Sequence, residues 1–105
     1  FRILNLCAGD LGFTSSITYD FEVFSKGQEK WLEISSVSNF KTYQSNRLNL
    51  KFKDKDGKNY TLHTLNGSSL ALPRVMAGLI ENNQSENGII IPDVLVPHTG
   101  FDIIN

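Results

Sequence analysis

From Ile17 to Phe24 the side chains alternate, with Ile17, Tyr19, Phe21 and Val23 on one face and Thr18, Asp20, Glu22 and Phe24 on the other. That is the period of a strand with two unlike surfaces. Trp31 to Ser38 alternates again, setting Leu32 and Ile34 apart from Trp31, Glu33 and Ser35. A turn about Gly27-Gln28 predicts a hairpin that pairs Val23 with Leu32, Phe21 with Ile34 and Glu22 with Glu33. This register gathers the aliphatic side chains on one face, and a slip of one residue would mix the two sets. It also sets two carboxylates side by side, which destabilises a sheet unless a cation lies between them. The face carrying Glu22 and Glu33 is therefore a candidate site.

The mostly apolar run Phe1 to Ala8, closed by Gly9-Asp10, predicts a largely buried strand, and Leu11 to Ser16 a loop. Asn39 to Asn46 has no clear period and suits a connection or a short helix. Arg47 to Lys53 and Asn59 to Leu65 flank Asp54-Lys55-Asp56-Gly57 and predict a second hairpin, with Phe52 beside Tyr60 and Leu50 beside Leu62. Leu72, Val75, Met76, Leu79 and Ile80 follow a helical period, with Ser68 or Ser69 as cap and Pro73 in the first turn. This stripe is expected to bury against the sheet. Asn82, Asn83 and the turn at residues 85–88 end the helix, and Ile89 to Ile91 with Pro92 and Pro97 read as an extended tail. The expected fold is α+β: one domain, residues 1–105, with an antiparallel sheet and one long amphipathic helix packed on it.

Composition narrows the function classes. A net charge of -1 supplies no broad reason to bind nucleic acid or an acidic membrane, so any RNA contact must be local. The single Cys7 has no internal disulfide partner and suits a reducing compartment. No apolar run approaches the roughly 20 residues of a membrane helix, and a soluble, cytoplasmic protein is expected. The sequons at Asn59, Asn66 and Asn83 are read as chance matches. The chain opens on Phe1 within a strand, as a fragment does. Phosphate-loop, dinucleotide-binding, CxxC and HExxH motifs are absent, and His63 and His98 have no partner at metal spacing.

The segment TLNGSSLALPR at Thr64 to Arg74, followed by a helix ending in ENNQ, resembles motif 3 of the class II aminoacyl-tRNA synthetases in its seryl version. WLEISSVSNFKTYQSNR, AGDLGF, YDFEV and the closing GIIIPDVLVPHTGF are similar to further blocks of the seryl-tRNA synthetase family, in the same order. The resemblance covers essentially the whole chain and implies the C-terminal part of a catalytic domain.

On that resemblance, Arg74 is the motif 3 arginine that contacts the terminal phosphates of ATP, a role suited to a fork of fixed donors. Glu33 and Ser36 correspond to the ATP-site ligands of Mg2+, and Asn66 and Ser68 to positions that contact the serine substrate. Taken alone, Arg74 reads as a solvated helix residue, Asn66-Gly67-Ser68 as a turn and cap, and Glu22 as a strand carboxylate paired with an arginine or lysine. In a regular strand Glu33 and Ser36 would lie on opposite faces, so the implied role requires a bulge or a strand end between them. Gln44 and Arg47 are expected to support the motif 3 strand or the floor of the site.

Motif 1, which builds the family's dimer interface, motif 2 and the tRNA-binding arm have no counterpart in these residues. The resemblance thus implies a serine–tRNA ligase as the parent, a homodimer acting on serine, ATP and tRNA(Ser), with the isolated segment inactive. The alternatives are a noncatalytic ATP- or partner-binding module and an amino acid:carrier-protein ligase. A catalytic sheet shorn of strands is also expected to leave apolar surface near Phe1 to Leu6 open to self-association.

Overall fold

A computed structural model describes residues 1–105. Its main sheet is antiparallel and has the order β1-β2-β3-β6, built from β1 (Arg2–Asn5), β2 (Ile17–Ser25), β3 (Lys30–Lys41) and β6 (Thr64–Gly67). Between β3 and β6 lie helix α1 (Tyr43–Leu48) and a separate hairpin of β4 (Lys51–Lys53) and β5 (Asn59–Thr61). Helix α2 (Leu72–Asn82) packs on β2 and β3. The chain closes with β7 (Gln84–Ser85), β8 (Gly88–Ile90), α3 (Val96–Thr99) and β9 (Ile103–Ile104). The α+β class and the long amphipathic helix are as expected.

The first hairpin forms as predicted near its turn, where Val23 faces Leu32 and Glu22 faces Glu33. Beyond Glu22 the ladder shifts, so Phe21 faces Ser35 and not Ile34. Ile34 is the extra residue of a β-bulge, which leaves one strand a residue longer than its partner.

Several expectations are corrected. Arg47 to Leu50 is no strand: α1 runs to Leu48 and ends where Asn49 takes a left-handed conformation at φ 50°. The amides of Asn49 and Leu50 both return to the Ser45 carbonyl, satisfying helix-end acceptors that a strand would not offer. Phe52 does pair with Tyr60, but Leu50 and Leu62 stay outside the ladder. The predicted partner strand splits, because Thr64 onward leaves the hairpin to pair with β3. The tail is not merely extended: the turn at residues 85–88 sends it back as a three-stranded sheet, β7-β8-β9. Gly88 is required there, since its φ is +127° and a Cβ would lie 2.3 Å from the Ile104 carbonyl oxygen.

The buried side chains are small and polar, Thr18, Asp20, Ser25, Ser35 and Ser45, and no apolar side chain is fully covered. β1 is exposed at every residue, contrary to the buried strand expected, because it is an edge strand with nothing packed outside it. Phe1, Ile3 and Leu4 are accordingly open to solvent.

The stripe of α2 is shared between two surfaces. Val75 and Leu79 meet Val23 and Ile34 on the sheet, while Met76 and Ile80 face Ile89, Ile90 and Phe101 of the closing segment. Gly78 is the buried point of the helix, and a Cβ there would stand 3.1 Å from both methyls of Val23. The last turn is held by polar bonds. Ser25 Oγ donates to Glu81 at 2.6 Å, the Gly27 amide does so at 3.2 Å, and Asn82 Nδ2 donates to the Phe24 carbonyl at 2.8 Å. The side-chain amides of Asn82, Asn83 and Gln84 donate to the carbonyls of Gly78, Leu79 and Ile80. Leu79 accepts from the Asn83 backbone amide as well, so these side chains add second bonds at the helix end.

Two outcomes follow from this packing. Gly78→Leu should lower stability to urea by about 1–3 kcal/mol through overpacking, with partial recovery when Val23→Ala is added. The Glu81 carboxylate is held below its ordinary value, first by the Ser25 hydroxyl and then by the Gly27 amide. A lowered acid favours the folded state above the unfolded-chain carboxylate range, and this contribution disappears as pH falls through the lowered value. Glu81→Gln should therefore flatten the acid side of the stability–pH curve, and urea titrations of both chains from neutral pH downward measure it.

Candidate functional site

The face of the main sheet opposite α2 forms an open groove of about 540 Å³, lined by Thr18, Asp20, Glu22, Glu33, Ser36 and Ser38 among others. These side chains are placed by the pairing of β2 with β3. Thr18 faces Ser38, Asp20 faces Ser36 and Glu22 faces Glu33. Glu33 and Ser36 share the groove because the bulge at Ile34 reverses the alternation between them. Without it, three residues of regular strand would turn them to opposite faces.

The bulge also anchors the segment that follows β6. The Ala71 amide donates to the Ile34 carbonyl at 2.6 Å, and Arg74 Nη1 donates to the Glu33 carbonyl at 2.6 Å. The Ser36 amide donates to Ser68 Oγ at 3.0 Å, the Ser68 amide returns a bond to the Ser36 carbonyl at 3.1 Å, and Ser35 Oγ donates to the Ser68 carbonyl. Ser68 is thus engaged by β3 and does not cap α2. Ala71 takes the cap position without a side-chain bond, and Pro73 occupies the first turn. Asn66 faces Ser38 across the β3–β6 ladder, so it continues the row Thr18–Ser38. Gly67 fits against Val37, where a Cβ would meet a methyl at 3.3 Å.

The five residues singled out from the sequence, Glu33, Ser36, Asn66, Ser68 and Arg74, therefore fall around one stretch of β3. Arg74 does not line the groove itself; its guanidinium lies against the main chain of Glu33. Glu22 is ion-paired with Arg2, whose guanidinium stacks 4.5 Å from the Trp31 ring. That partner relieves the repulsion between Glu22 and Glu33, and it answers the pairing expected of a strand carboxylate. Gln44 Oε1 accepts from Thr64 Oγ1 at 2.8 Å and so supports β6, whereas Arg47 folds over Tyr43 of its own helix at 3.6 Å.

Asp20, Thr18 and Ser38 were not singled out, although their parity with Glu22 placed Thr18 and Asp20 on its face. Thr18 and Ser38 share a hydrogen bond of 2.6 Å, and Asp20 is only 8% exposed. Asp20, Glu22 and Glu33 are not gathered closely enough to hold one metal ion among them.

Residues 1–83 match the tRNA synthetase class II core domain (G, H, P, S and T). The chain belongs to that class II synthetase family. It is 52% identical over 105 residues to the serine–tRNA ligase of Akkermansia muciniphila, covering 99% of this chain and 25% of the relative. It is 49% identical to that of Finegoldia magna, covering 100% and 25% respectively. Among solved structures, a seryl-tRNA synthetase from Pyrococcus horikoshii complexed with ATP superposes with TM-score 0.86 at 39% identity, over 99% of this chain and 24% of that one. A cytoplasmic serine–tRNA ligase from Naegleria fowleri in complex with AMP gives TM-score 0.82 at 29% identity, over 99% and 25%. The seryl resemblance drawn from the synthetase motifs is borne out, and the chain spans about a quarter of the length of these relatives.

Ser68→Ala should speed hydrogen exchange at the Ser36 amide and lower stability by about 1 kcal/mol, the scale of one lost hydrogen bond. Ser68→Thr should retain the protection. Unchanged exchange in the alanine variant would show that the hydroxyl does not hold the strand.

Proposed function

We propose that this chain is the C-terminal, motif 3 part of the catalytic domain of a serine–tRNA ligase, which activates serine with ATP and transfers it to tRNA(Ser). The observation that supports it best is the bulge at Ile34, which sets Glu33 and Ser36 on one face and ties the Ser68 and Arg74 segments to the same backbone. The parent is a cytoplasmic homodimer, its dimer interface carried outside these residues. The ATP and AMP in the two solved relatives agree with a nucleotide over this face.

In this reading Glu33 and Ser36 hold Mg2+. The donor set fits a hard cation, for a carboxylate and a hydroxyl are both oxygen ligands, and Mg2+ is commonly held by one or two protein groups plus phosphate oxygens and water. An ion held there would supply positive charge to the phosphates of ATP, whose α-phosphorus is attacked by serine's carboxylate with loss of pyrophosphate. Arg74 exchanges its main-chain acceptor for the departing phosphates, which a forked guanidinium binds more strongly than a neutral carbonyl. Asn66 and Ser68 take the substrate serine from the β6 side, where a hydrogen-bonding site discriminates against side chains without a hydroxyl.

The test is ATP–pyrophosphate exchange by the full-length protein with serine, glycine and alanine. Serine-dependent exchange is expected, and Arg74→Ala should lower its kcat/KM about 100-fold. Exchange that ignores serine would overturn the proposal in favour of another ligase, and ATP binding without exchange would favour a noncatalytic module. The isolated 105-residue chain lacks motifs 1 and 2 and should form no seryl-adenylate.

A further inference from the structure

Asp20 lies at the centre of the groove floor, on the rung between Thr18–Ser38 and Glu22–Glu33, directly across from Ser36. It is 8% exposed, and the cover comes from this chain alone. One carboxylate oxygen, Oδ1, is sealed from solvent without any hydrogen-bond partner. Glu22 on the same strand has Arg2 as its cation, whereas no lysine or arginine is paired with Asp20. A buried carboxylate left this way is costly, and the cost falls where a cation outside the chain lies close enough to compensate its charge.

We propose that Asp20 is a positioning residue for the cation assigned above to Glu33 and Ser36, acting from its outer shell and not as a direct ligand. The inference rests on that assignment. Asp20 and the two glutamates are not close enough to share one ion directly, which excludes a carboxylate cluster. Across one rung from Ser36, Asp20 places a negative charge behind the ion and the water it retains. Outer-shell partners of this kind orient the ligands and typically change metal affinity 10–100-fold. The row Asp20–Ser36 thereby fixes where the ion sits along β3, one rung from Glu33.

The experiment measures Mn2+ binding to the full-length protein with ATP by electron paramagnetic resonance, without requiring turnover. Asp20→Asn should weaken Mn2+ binding roughly 10-fold or more. Asp10→Asn removes the same charge from the rim of the same groove and should leave it within about 2-fold, as an exposed charge acts weakly through solvent. Equal losses in the two variants, or no loss in Asp20→Asn, would overturn the proposal while leaving the Glu33 and Ser36 assignment intact. Absence of Mn2+ binding in the wild type would instead overturn that assignment, and this inference with it. A second measurement on the unaltered protein avoids any folding defect of the variant: with aspartate labelled at the carboxyl carbon, Mn2+ and ATP should broaden the Asp20 resonance. An Asp20 signal that stays sharp would refute the placement.

Discussion

The arrangement depends on one surplus residue in a strand. Ile34 interrupts the alternation of β3, and its carbonyl, together with that of Glu33, then receives donors from the start of α2. Its apolar side chain meanwhile stays on the helix side, beside Val75 and Leu79. A single local irregularity thus aims two polar side chains into the groove and supplies the backbone acceptors that dock the following segment. In a regular antiparallel strand successive residues bond to opposite sides, so two consecutive carbonyls would not both face that segment.

Packing around that feature is polar where it must be exact in position and apolar where it need only fill space. The aliphatic contacts of α2 are half-exposed, so each contributes less than the roughly 1.5–3 kcal/mol of a fully buried side chain. Hydrogen bonds from Ser25, Gly27, Ser35 and Asn82 supply direction that such contacts lack. The missing side chain at Gly78 lets α2 lie close against Val23 of β2, and that at Gly67 lets β6 fit beside Val37 of β3.

Much of this was legible in the sequence where period and chemistry agreed. The Glu22–Glu33 pairing followed from alternation on both sides of a glycine turn, and the body and C-terminal end of α2 from its stripe and its terminal asparagines, whereas its cap is Ala71 and not the expected Ser68 or Ser69. The need for a bulge was legible too, but only through the resemblance, because nothing in Glu33-Ile34-Ser35-Ser36 marks an extra residue by itself. Illegible were the features decided at a distance. The departure of Thr64 from its hairpin depends on the open edge of β3, and the end of α1 at Asn49 on a left-handed turn that Leu48 and Leu50 disguise as alternation. Asp20 escaped notice because its distinction is burial without a partner, which a linear pattern does not record.

Both ends of α2 are fastened to the same hairpin, through Arg74 to Glu33 at one end and through Glu81 and Asn82 to Ser25 and Phe24 at the other. These bonds join residues 41, 56 and 58 positions apart. Closing loops of that length is slow relative to forming a hairpin, so the strands should pair well before the helix locks them. During synthesis, a nascent chain that stops short of Asn82 can therefore have the strands of the groove floor paired and still lack the bonds that fasten the far end of α2 to their hairpin. The groove acquires its shape last, when the helix arrives.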